Sequence, residues 1–198
     1  MNQQKFTAIA LCCLLPICMA NETHTPQIHS ASQAAQLLKQ DANLYRVDDK
    51  LYRSEQLQAE DKAAIAEHNI QSIVNLRFFK RNTTAKVFAD NTHIKLINKP
   101  LTTWHITPKD LAEVLWEIEQ QQKHGAVLVH CYHGADRTGI VIAMYRVVYQ
   151  NWSLVDAKAE MQQGGFGYHS IWKNLDKLFT ENTVAEIRAH LAQLRQNS

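Results

Sequence analysis

Short apolar runs alternate along the chain with stretches of helical periodicity. Residues 72–76 and 126–129 are largely apolar, as strands buried on both faces of a sheet are, and residues 94–97 predict a further strand. Over residues 108–123 the apolar positions recur instead at intervals of three and four, which predicts an amphipathic helix. Strands that alternate with helices predict an α/β fold, in which a central, mostly parallel sheet is flanked by helices in a single compact domain.

Turn and capping residues predict where the other elements begin and end. Two short strands, residues 43–47 and 50–54, flank a turn. Thr107, Pro108 and Asp110 have the order expected of a capping box at the start of a helix. Helices are predicted over residues 31–40, 58–68, 84–90, 108–123, 140–150, 153–164, 170–179 and 183–195.

Length and charge limit the organisation of the chain. Its 198 residues suffice for one domain with a substantial core, which we expect at residues 43–198, after a polar lead at residues 21–42 that includes the short helix. The net charge of +2 provides no electrostatic basis for nucleic-acid binding. We also expect the protein to be a monomer.

The first 20 residues have the features of a secretory signal. Lys5 precedes an apolar core at residues 6–17, and small residues follow, so cleavage is expected after Ala20. The apolar core is too short for a stable membrane span. The signal therefore predicts a periplasmic or secreted protein.

Cleavage of that signal leaves one cysteine in the chain. Cys12, Cys13 and Cys18 lie within the signal, whereas Cys131 lies in the domain. A solitary cysteine forms no internal disulfide, so a chemical role explains its presence better than a structural one.

The sequence HCYHGADRTG, residues 130–139, follows a predicted buried strand and opens a predicted helix. Backbone N–H groups in such a turn point inward and the helix N-terminus adds positive potential, so the turn can bind an anion and favour a thiolate at Cys131. Arg137 provides a planar fork for two phosphate oxygens. Gly134 permits a close backbone approach. The combination predicts phosphate-ester chemistry.

This motif resembles the His-Cys-x5-Arg-Thr-Gly signature of the cysteine-dependent protein tyrosine and dual-specificity phosphatases. The segments NLYRVDDKLYRS, AMYRVVYQNW and EMQQGGFG are similar to those of the TpbA-type periplasmic tyrosine phosphatases of bacteria, and they extend the resemblance from about Asn43 to Tyr168. The resemblance implies the compact dual-specificity fold and a phosphotyrosine-containing protein as substrate. It implies no metal and no other cofactor.

The resemblance also implies roles for the residues of the motif. Cys131 attacks phosphorus to form a phosphocysteine, which water then hydrolyses. Thr138 donates a hydrogen bond to the sulfur when it leaves. His130 orders the turn from behind, with Gly139 as a further supporting residue. The phosphate is bound by the backbone amides and the arginine fork of Tyr132, His133, Gly134, Ala135, Asp136 and Arg137. The side chain of His133 either lines the pocket or points to solvent.

The general acid is missing from the place where the family carries it. Relatives have an aspartate on a loop before the signature strand, whereas the corresponding residues 100–107 include no carboxylate. The candidates are Asp136 in the phosphate-binding turn, His105 in the upstream loop, and Asp110, which the predicted capping box already uses. We rank Asp136 and His105 ahead of Asp110.

Two other functions are consistent with the sequence. An inositol-polyphosphate or lipid phosphatase is favoured by Asp136 and by the basic, aromatic loop at residues 77–82, where Lys80 or Arg81 would lie at the pocket mouth. A weakly active phosphate-binding module is favoured by the missing acid. If the glycine-rich residues 164–167 lie beside the site, Gln162 or Gln163 would orient the hydrolytic water.

Overall fold

Six β-strands form one sheet in the part of the chain that the computed structural model describes, residues 34–198. The strands are β1 (Gln36–Lys39), β2 (Leu44–Arg46), β3 (Leu51–Ser54), β4 (Ile70–Arg77), β5 (Lys95–Leu101) and β6 (Ala126–His130). They lie in the order β1-β2-β3-β6-β4-β5. Strands β3, β6, β4 and β5 run parallel. At one edge β2 is antiparallel to β3, and β1 is antiparallel to β2. The predicted mostly parallel sheet is confirmed.

Seven α-helices, counted within the same residues, cover the two faces of the sheet. They are α1 (Lys62–Glu67), α2 (Thr83–Val87), α3 (Pro108–Gln121), α4 (Asp136–Tyr149), α5 (Leu154–Gln163), α6 (Lys173–Asp176) and α7 (Glu181–Gln196). The larger core joins one face of the sheet to α3, α4, α5 and α7. The smaller core joins the opposite face to Ile65 of α1 and to Phe88, which follows α2.

Strand β6 lies inside the sheet because its side chains are apolar on both faces. Val127 and Val129 belong to the larger core, and Leu128 belongs to the smaller one. Alternate strand residues point to opposite faces, so a continuous apolar run is what a strand with both faces covered requires. The strand ends at His130, at the edge where ligands bind in parallel α/β sheets.

Helix α4 is buried along most of its length, between the sheet and the neighbouring helices. Gly139 permits this packing, because a Cβ at that position would lie 2.8 Å from Cγ of Met161 on α5. Gly139 therefore supports the site by letting α5 pack closely against the first turn of α4.

The short helix predicted at residues 31–40 is wrong where the structure describes it. Residues 36–39 form strand β1, with Gln36 opposite Arg46 and Leu37 opposite Tyr45. A four-residue segment has little helical preference of its own, so pairing with β2 decides its conformation. Residues 31–33 and the predicted signal at residues 1–20 lie outside the described part.

Other predicted boundaries also differ from the structure, and the helix predicted over residues 84–90 ends at Val87. The strand predicted at residues 94–97 continues to Leu101, so the upstream loop begins later than expected. The helix predicted over residues 170–179 is only α6, which ends at Asp176. Among the described residues, no helix has the length and apolarity needed to cross a membrane.

Candidate active site

The turn between β6 and α4 holds Cys131 at its base. The strand ends at His130 and the helix begins at Asp136, so residues 131–135 make the whole connection. Cys131 is 2 % exposed. Gly134 has φ +70°, and a Cβ there would lie 2.7 Å from the backbone that ends β3. Glycine at this position is therefore required by both conformation and space. We call residues 130–137 the phosphate loop.

Arg53, on β3, supports the phosphate loop from behind. Its side chain is buried, and Nη2 donates a hydrogen bond of 2.6 Å to the carbonyl oxygen of Gly134. Burial lowers the pKa of Arg53 to about 10, while the negative charges of Glu160 and of a Cys131 thiolate raise it. Because that pKa lies well above neutrality, Arg53 places a fixed positive charge next to the loop.

A chain of buried hydrogen bonds runs from β4 to the backbone of the nucleophile. Nη1 of Arg77 donates to Oε1 of Gln56 (2.6 Å), and Nε2 of Gln56 donates to Oγ1 of Thr84 (3.1 Å). Oγ1 of Thr84 lies 2.9 Å from Nε2 of His130, and Nδ1 of His130 lies 2.9 Å from the carbonyl oxygen of Cys131. This network supports the predicted ordering of the loop by His130.

The hydrogen bonds of His130 assign its tautomer. Burial, and then the charges of Arg77 and Arg137, lower the pKa of His130 to about 4, although the bond to the Cys131 carbonyl raises it. The imidazole is therefore neutral at neutral pH. Nδ1–H donates to the carbonyl, and Nε2 accepts from the hydroxyl of Thr84.

The loop after α5 is packed onto the phosphate loop. The ring of Phe166 lies 3.6 Å from Cζ of Arg53 and meets the ring of Tyr45 edge to face at 4.7 Å. Nδ2 of Asn43 donates to the carbonyl oxygens of both Phe166 (3.0 Å) and His133 (2.9 Å). The glycine-rich segment thus lies beside the phosphate loop, as one of the two interpretations of residues 164–167 required.

The same loop delivers His169 to Asp136. The backbone N–H of His169 donates to Oδ1 of Asp136, and Nδ1 of His169 lies at the same distance, 2.9 Å, from Oδ2. The side chain of Asp136 is 11 % exposed. Asp136 is therefore held by a residue 33 positions later in the chain.

The residues after Cys131 form the rim of the phosphate loop. Tyr132 and His133 are exposed, whereas Ala135 is buried beneath them. The ring of His133 lies between those of Tyr132 and His169, at centroid distances of 4.6 and 5.2 Å. His133 thus faces solvent at the rim, next to both rings.

The upstream loop does not bring a carboxylate to the site. The predicted capping box is present: the carboxylate of Asp110 accepts from the backbone N–H and the hydroxyl of Thr107, and Asp110 N donates to Oγ1 of Thr107. The backbone of His105 bonds to Thr102, and its side chain is exposed. Asp110 is therefore occupied in capping α3.

A basic groove extends from the phosphate loop. A cavity of about 330 Å³ is lined by Arg77, Phe79, Lys80, Tyr132 and Arg137. Lys80 also lines a neighbouring cavity of about 550 Å³ with Arg81, Asn82, Thr83 and Lys86. Burial, and then the charge of Arg137, lower the pKa of Arg77. Within residues 34–198 no carboxylate pairs with these five cationic side chains.

The glutamines before the glycine-rich segment differ in their surroundings. Nε2 of Gln162 donates to Oδ1 of Asp176 at 2.6 Å, and Gln163 is exposed. Gln162 thus makes its side-chain hydrogen bond to a residue of α6 and not to the phosphate loop. Over the described part of the chain, no group of three or more His, Cys, Asp or Glu side chains is arranged to hold a metal ion.

The sequence does not indicate three residues of the site: Asn43, Arg53 and His169. All three lie far along the chain from Cys131, in segments that only the tertiary structure brings to it. One feature of the sequence could have pointed to Arg53: it is a charged residue within a predicted strand, and a charged side chain buried in a strand requires a specific partner.

The sequence and the fold of this chain are similar to those of known proteins. The family described as "Dual specificity phosphatase, catalytic domain" matches residues 51–170, which is more than half of the chain. The chain belongs to this family. The match includes β3, the phosphate loop and the loop that carries His169.

The similar proteins include a dual specificity protein phosphatase, TpbA, from Pseudomonas aeruginosa strain UCBPP-PA14. It is 32% identical over 148 residues, which are 75% of this chain and 65% of the relative, so the matched region spans somewhat less than two thirds of that protein. The crystal structure of P. aeruginosa TpbA superposes with a TM-score of 0.74 at 27% identity, covering 82% of this chain and 98% of the other. A TpbA variant in complex with phosphotyrosine superposes with a TM-score of 0.73 at 26% identity, covering 83% and 99%. The predicted cysteine-phosphatase fold is confirmed.

Proposed function

We propose that this protein is a tyrosine phosphatase that hydrolyses phosphomonoesters through a phosphocysteine. The observation that carries the proposal is the phosphate loop, in which a buried cysteine follows the central strand and Arg137 opens the next helix. Cys131 attacks phosphorus and the ester P–O bond breaks, so that the alcohol or phenol leaves with its oxygen. Water then attacks phosphorus and regenerates the thiolate.

The loop supplies the electrostatic part of this mechanism. Its backbone N–H groups and the guanidinium of Arg137 bind the non-bridging oxygens, whose charge they stabilise in both steps. Oγ1 of Thr138 is buried and has no hydrogen-bond partner among the described residues. That hydroxyl is available to donate to the sulfur of Cys131 as the phosphocysteine breaks.

An aryl phosphate fits the mouth of this site better than an alkyl phosphate. Tyr132 and Phe79 are 53 % and 67 % exposed and line the cavity that Arg137 also lines. Exposed rings beside a phosphate-binding arginine favour a substrate with a ring of its own. The binding of phosphotyrosine by the similar TpbA variant supports the same choice.

The mechanism is tested with p-nitrophenyl phosphate in the presence of a metal chelator. We expect turnover by the wild-type protein and its loss in Cys131→Ser, because serine is not ionised at neutral pH. An undiminished rate in Cys131→Ser would exclude the phosphocysteine. Binding of phosphotyrosine peptide without turnover by the wild type would instead support a phosphate-binding module.

An inositol polyphosphate is the second candidate substrate, favoured by the basic groove. Several unpaired cations lead away from the phosphate loop, and a substrate with several phosphates would satisfy more of them than one phosphotyrosine. Lys80→Gln should then reduce kcat/KM for phytate by more than that for a phosphotyrosine peptide. Lys177→Gln, an exposed lysine outside the groove, is the matched control.

We also propose that the protein is exported and cleaved after Ala20, and that it acts as a monomer in the periplasm or outside the cell. Lys5 and the apolar residues that follow support the export signal. Mass spectrometry of the protein purified from its native compartment would identify Asn21 as the first residue. Light scattering of the same sample tests the monomer.

A further inference from the structure

Both carboxylate oxygens of Asp136 are hydrogen-bonded to a single residue, His169. Oδ1 accepts from the backbone N–H and Oδ2 is bonded to Nδ1, both at 2.9 Å. Within residues 34–198 no other side chain pairs with this carboxylate. A carboxylate that accepts on both oxygens acts as an acceptor, so the proton available for transfer in this pair belongs to the imidazole.

The contact with Asp136 also orients the imidazole of His169. With Nδ1 donating to Oδ2, Nε2 lies at the opposite side of the ring. The side chain of His169 is 48 % exposed, and Nε2 has no partner among the described residues. A carboxylate that fixes the tautomer and direction of a half-exposed imidazole is the arrangement used by hydrolases that transfer protons through histidine.

The ring of His169 lies at the rim of the phosphate loop. Its centroid is 5.2 Å from that of His133, which is two residues after Cys131, and its partner Asp136 immediately precedes Arg137. The packing of Phe166 on Arg53, at 3.6 Å, holds the backbone of this loop in place. The position of His169 is therefore determined by contacts on both sides.

His105, another candidate acid from the sequence, has an exposed side chain that no hydrogen bond among residues 34–198 holds in place. Residues 100–107 include no carboxylate, and Asp110 uses its carboxylate to cap α3. Departure of a phenolate or alkoxide is slow without protonation, so an enzyme of this chemistry gains about 10²–10⁴-fold from a positioned acid.

We propose that His169, held by Asp136, is the general acid and base of this site; the inference rests on the phosphocysteine mechanism proposed above. In the first step the S–P bond forms, the ester P–O bond breaks, and the imidazolium form of His169 gives its Nε2 proton to the leaving oxygen, while Nδ1–H stays hydrogen-bonded to Asp136. In the second step a water O–P bond forms and the P–S bond breaks, while Nε2 takes a proton from the water. Asp136 is a positioning residue that keeps Nε2 directed at the reacting oxygen.

His169→Asn separates proton transfer from positioning. The amide of asparagine can donate to Asp136 from about the place of Nδ1, but it has no group at the place of Nε2. We expect kcat/KM for phenyl phosphate to fall about 10²-fold, and that for p-nitrophenyl phosphate to fall less than about tenfold, because nitrophenolate leaves readily without a proton. The ratio of the two values should therefore change by at least about tenfold.

His124→Asn is the matched control, since His124 is an exposed histidine just before β6, at the end of that strand away from the phosphate loop. It should leave both substrates unaffected. Equal losses for the two substrates in His169→Asn would reduce His169 to a structural residue, and wild-type rates would overturn the proposal outright.

The double variant Asp136→Asn/His169→Asn tests whether the two residues act as a unit. We expect it to lose no more activity on phenyl phosphate than His169→Asn alone, because the imidazole is the group that Asp136 serves. Multiplying losses would show that Asp136 acts independently and would contradict the pair. Failure of the phosphocysteine mechanism itself is recognised separately, by wild-type activity that survives in Cys131→Ser.

Discussion

At the scale of single residues, Gly134 has the narrowest tolerance in the phosphate loop. Its φ of +70° lies in the left-handed region, and the space that a Cβ would occupy is taken by the backbone of residues 54 and 55. Neither constraint can be relieved by a side-chain rotation. The loop therefore depends on a close contact between Gly134 and the end of β3. The other residues of the motif give no indication of this contact.

Gly134→Ala and Gly167→Ala separate these two constraints. Both glycines have positive φ, but no atom lies within 4 Å of a Cβ built on Gly167. We expect Gly167→Ala to lower the free energy of unfolding by about 1–2 kcal/mol, the cost of the left-handed conformation alone. Gly134→Ala should cost more than that and reduce kcat at least about tenfold. Urea denaturation and steady-state kinetics measure the two effects, and equal stability losses would contradict the clash.

His130 imposes a second constraint at this scale, because its unprotonated and buried Nε2 requires a hydrogen-bond donor. Thr84→Val removes the hydroxyl that this nitrogen accepts from, without changing the shape of the side chain. A buried acceptor left without a donor costs about 1–3 kcal/mol, so the free energy of unfolding should fall by that amount. Thr92→Val, at an exposed threonine, is the matched control and should change it little. A stability loss no larger than that of the control would contradict the hydrogen-bond chain.

At the scale of elements, helix and loop ends decide which residues are free for chemistry. The start of α3 uses Asp110 in a reciprocal pair with Thr107, whereas the loop after α5 brings His169 to the start of α4. The first arrangement caps its helix, whereas the second makes no cap and holds an imidazole at the phosphate loop.

Asp110→Ala tests the assignment of that carboxylate to the cap. Losing the capping pair should lower the free energy of unfolding by about 1 kcal/mol, while kcat/KM for phenyl phosphate stays within about twofold of wild type. Lys109→Ala, next to it on an exposed position of the same turn, should change neither. A large loss of activity on phenyl phosphate alone would make Asp110 the acid after all.

Phe166→Leu tests how the loop after α5 is held. The substitution removes the contact with the guanidinium of Arg53 and the edge contact with Tyr45, which together contribute about 1–3 kcal/mol. We expect kcat to fall with this anchoring, because His169 lies on the same loop. Phe179→Leu, a half-buried ring on the segment before α7, removes a ring away from that loop and should preserve kcat. Equal values of kcat in the two variants would exclude the anchoring role.

At the scale of the whole molecule, burial of His130 couples folding to pH. Burial lowers the pKa of His130 to about 4 in the folded state, from about 6.5 in an unfolded chain. Between these values the unfolded chain binds a proton that the folded protein does not. The folded state is therefore favoured above pH 6.5, and this contribution is lost as the pH falls towards 4.

The expected loss is about 3 kcal/mol over that range, from a pKa difference of about 2.5. Chemical denaturation at a series of pH values measures it in the wild type. His130→Asn keeps a donor for the Cys131 carbonyl but does not titrate, so its stability should vary less with pH by about the same amount. Parallel curves for the two proteins would show that His130 is not responsible.

The chemistry of the phosphate loop could be predicted from the sequence because it is local. Cys131, Gly134 and Arg137 lie within seven consecutive residues, and a strand followed by a tight turn and a helix places them without help from distant segments. The capping pair of Thr107 and Asp110 could be predicted for the same reason. The mostly parallel sheet followed from apolar runs long enough to be buried on both faces.

The tertiary structure decided what lies around that loop. Arg53 is 81 residues from Gly134, and His169 is 33 residues from Asp136. Such pairs meet only when strands pair and helices pack, and their hydrogen bonds leave no periodic pattern in the sequence. The same reason explains β1, whose four residues become a strand only because β2 offers a partner. The sequence alone determined the nucleophile and the anion site, while packing between distant segments decided which groups hold them and which imidazole stands beside them.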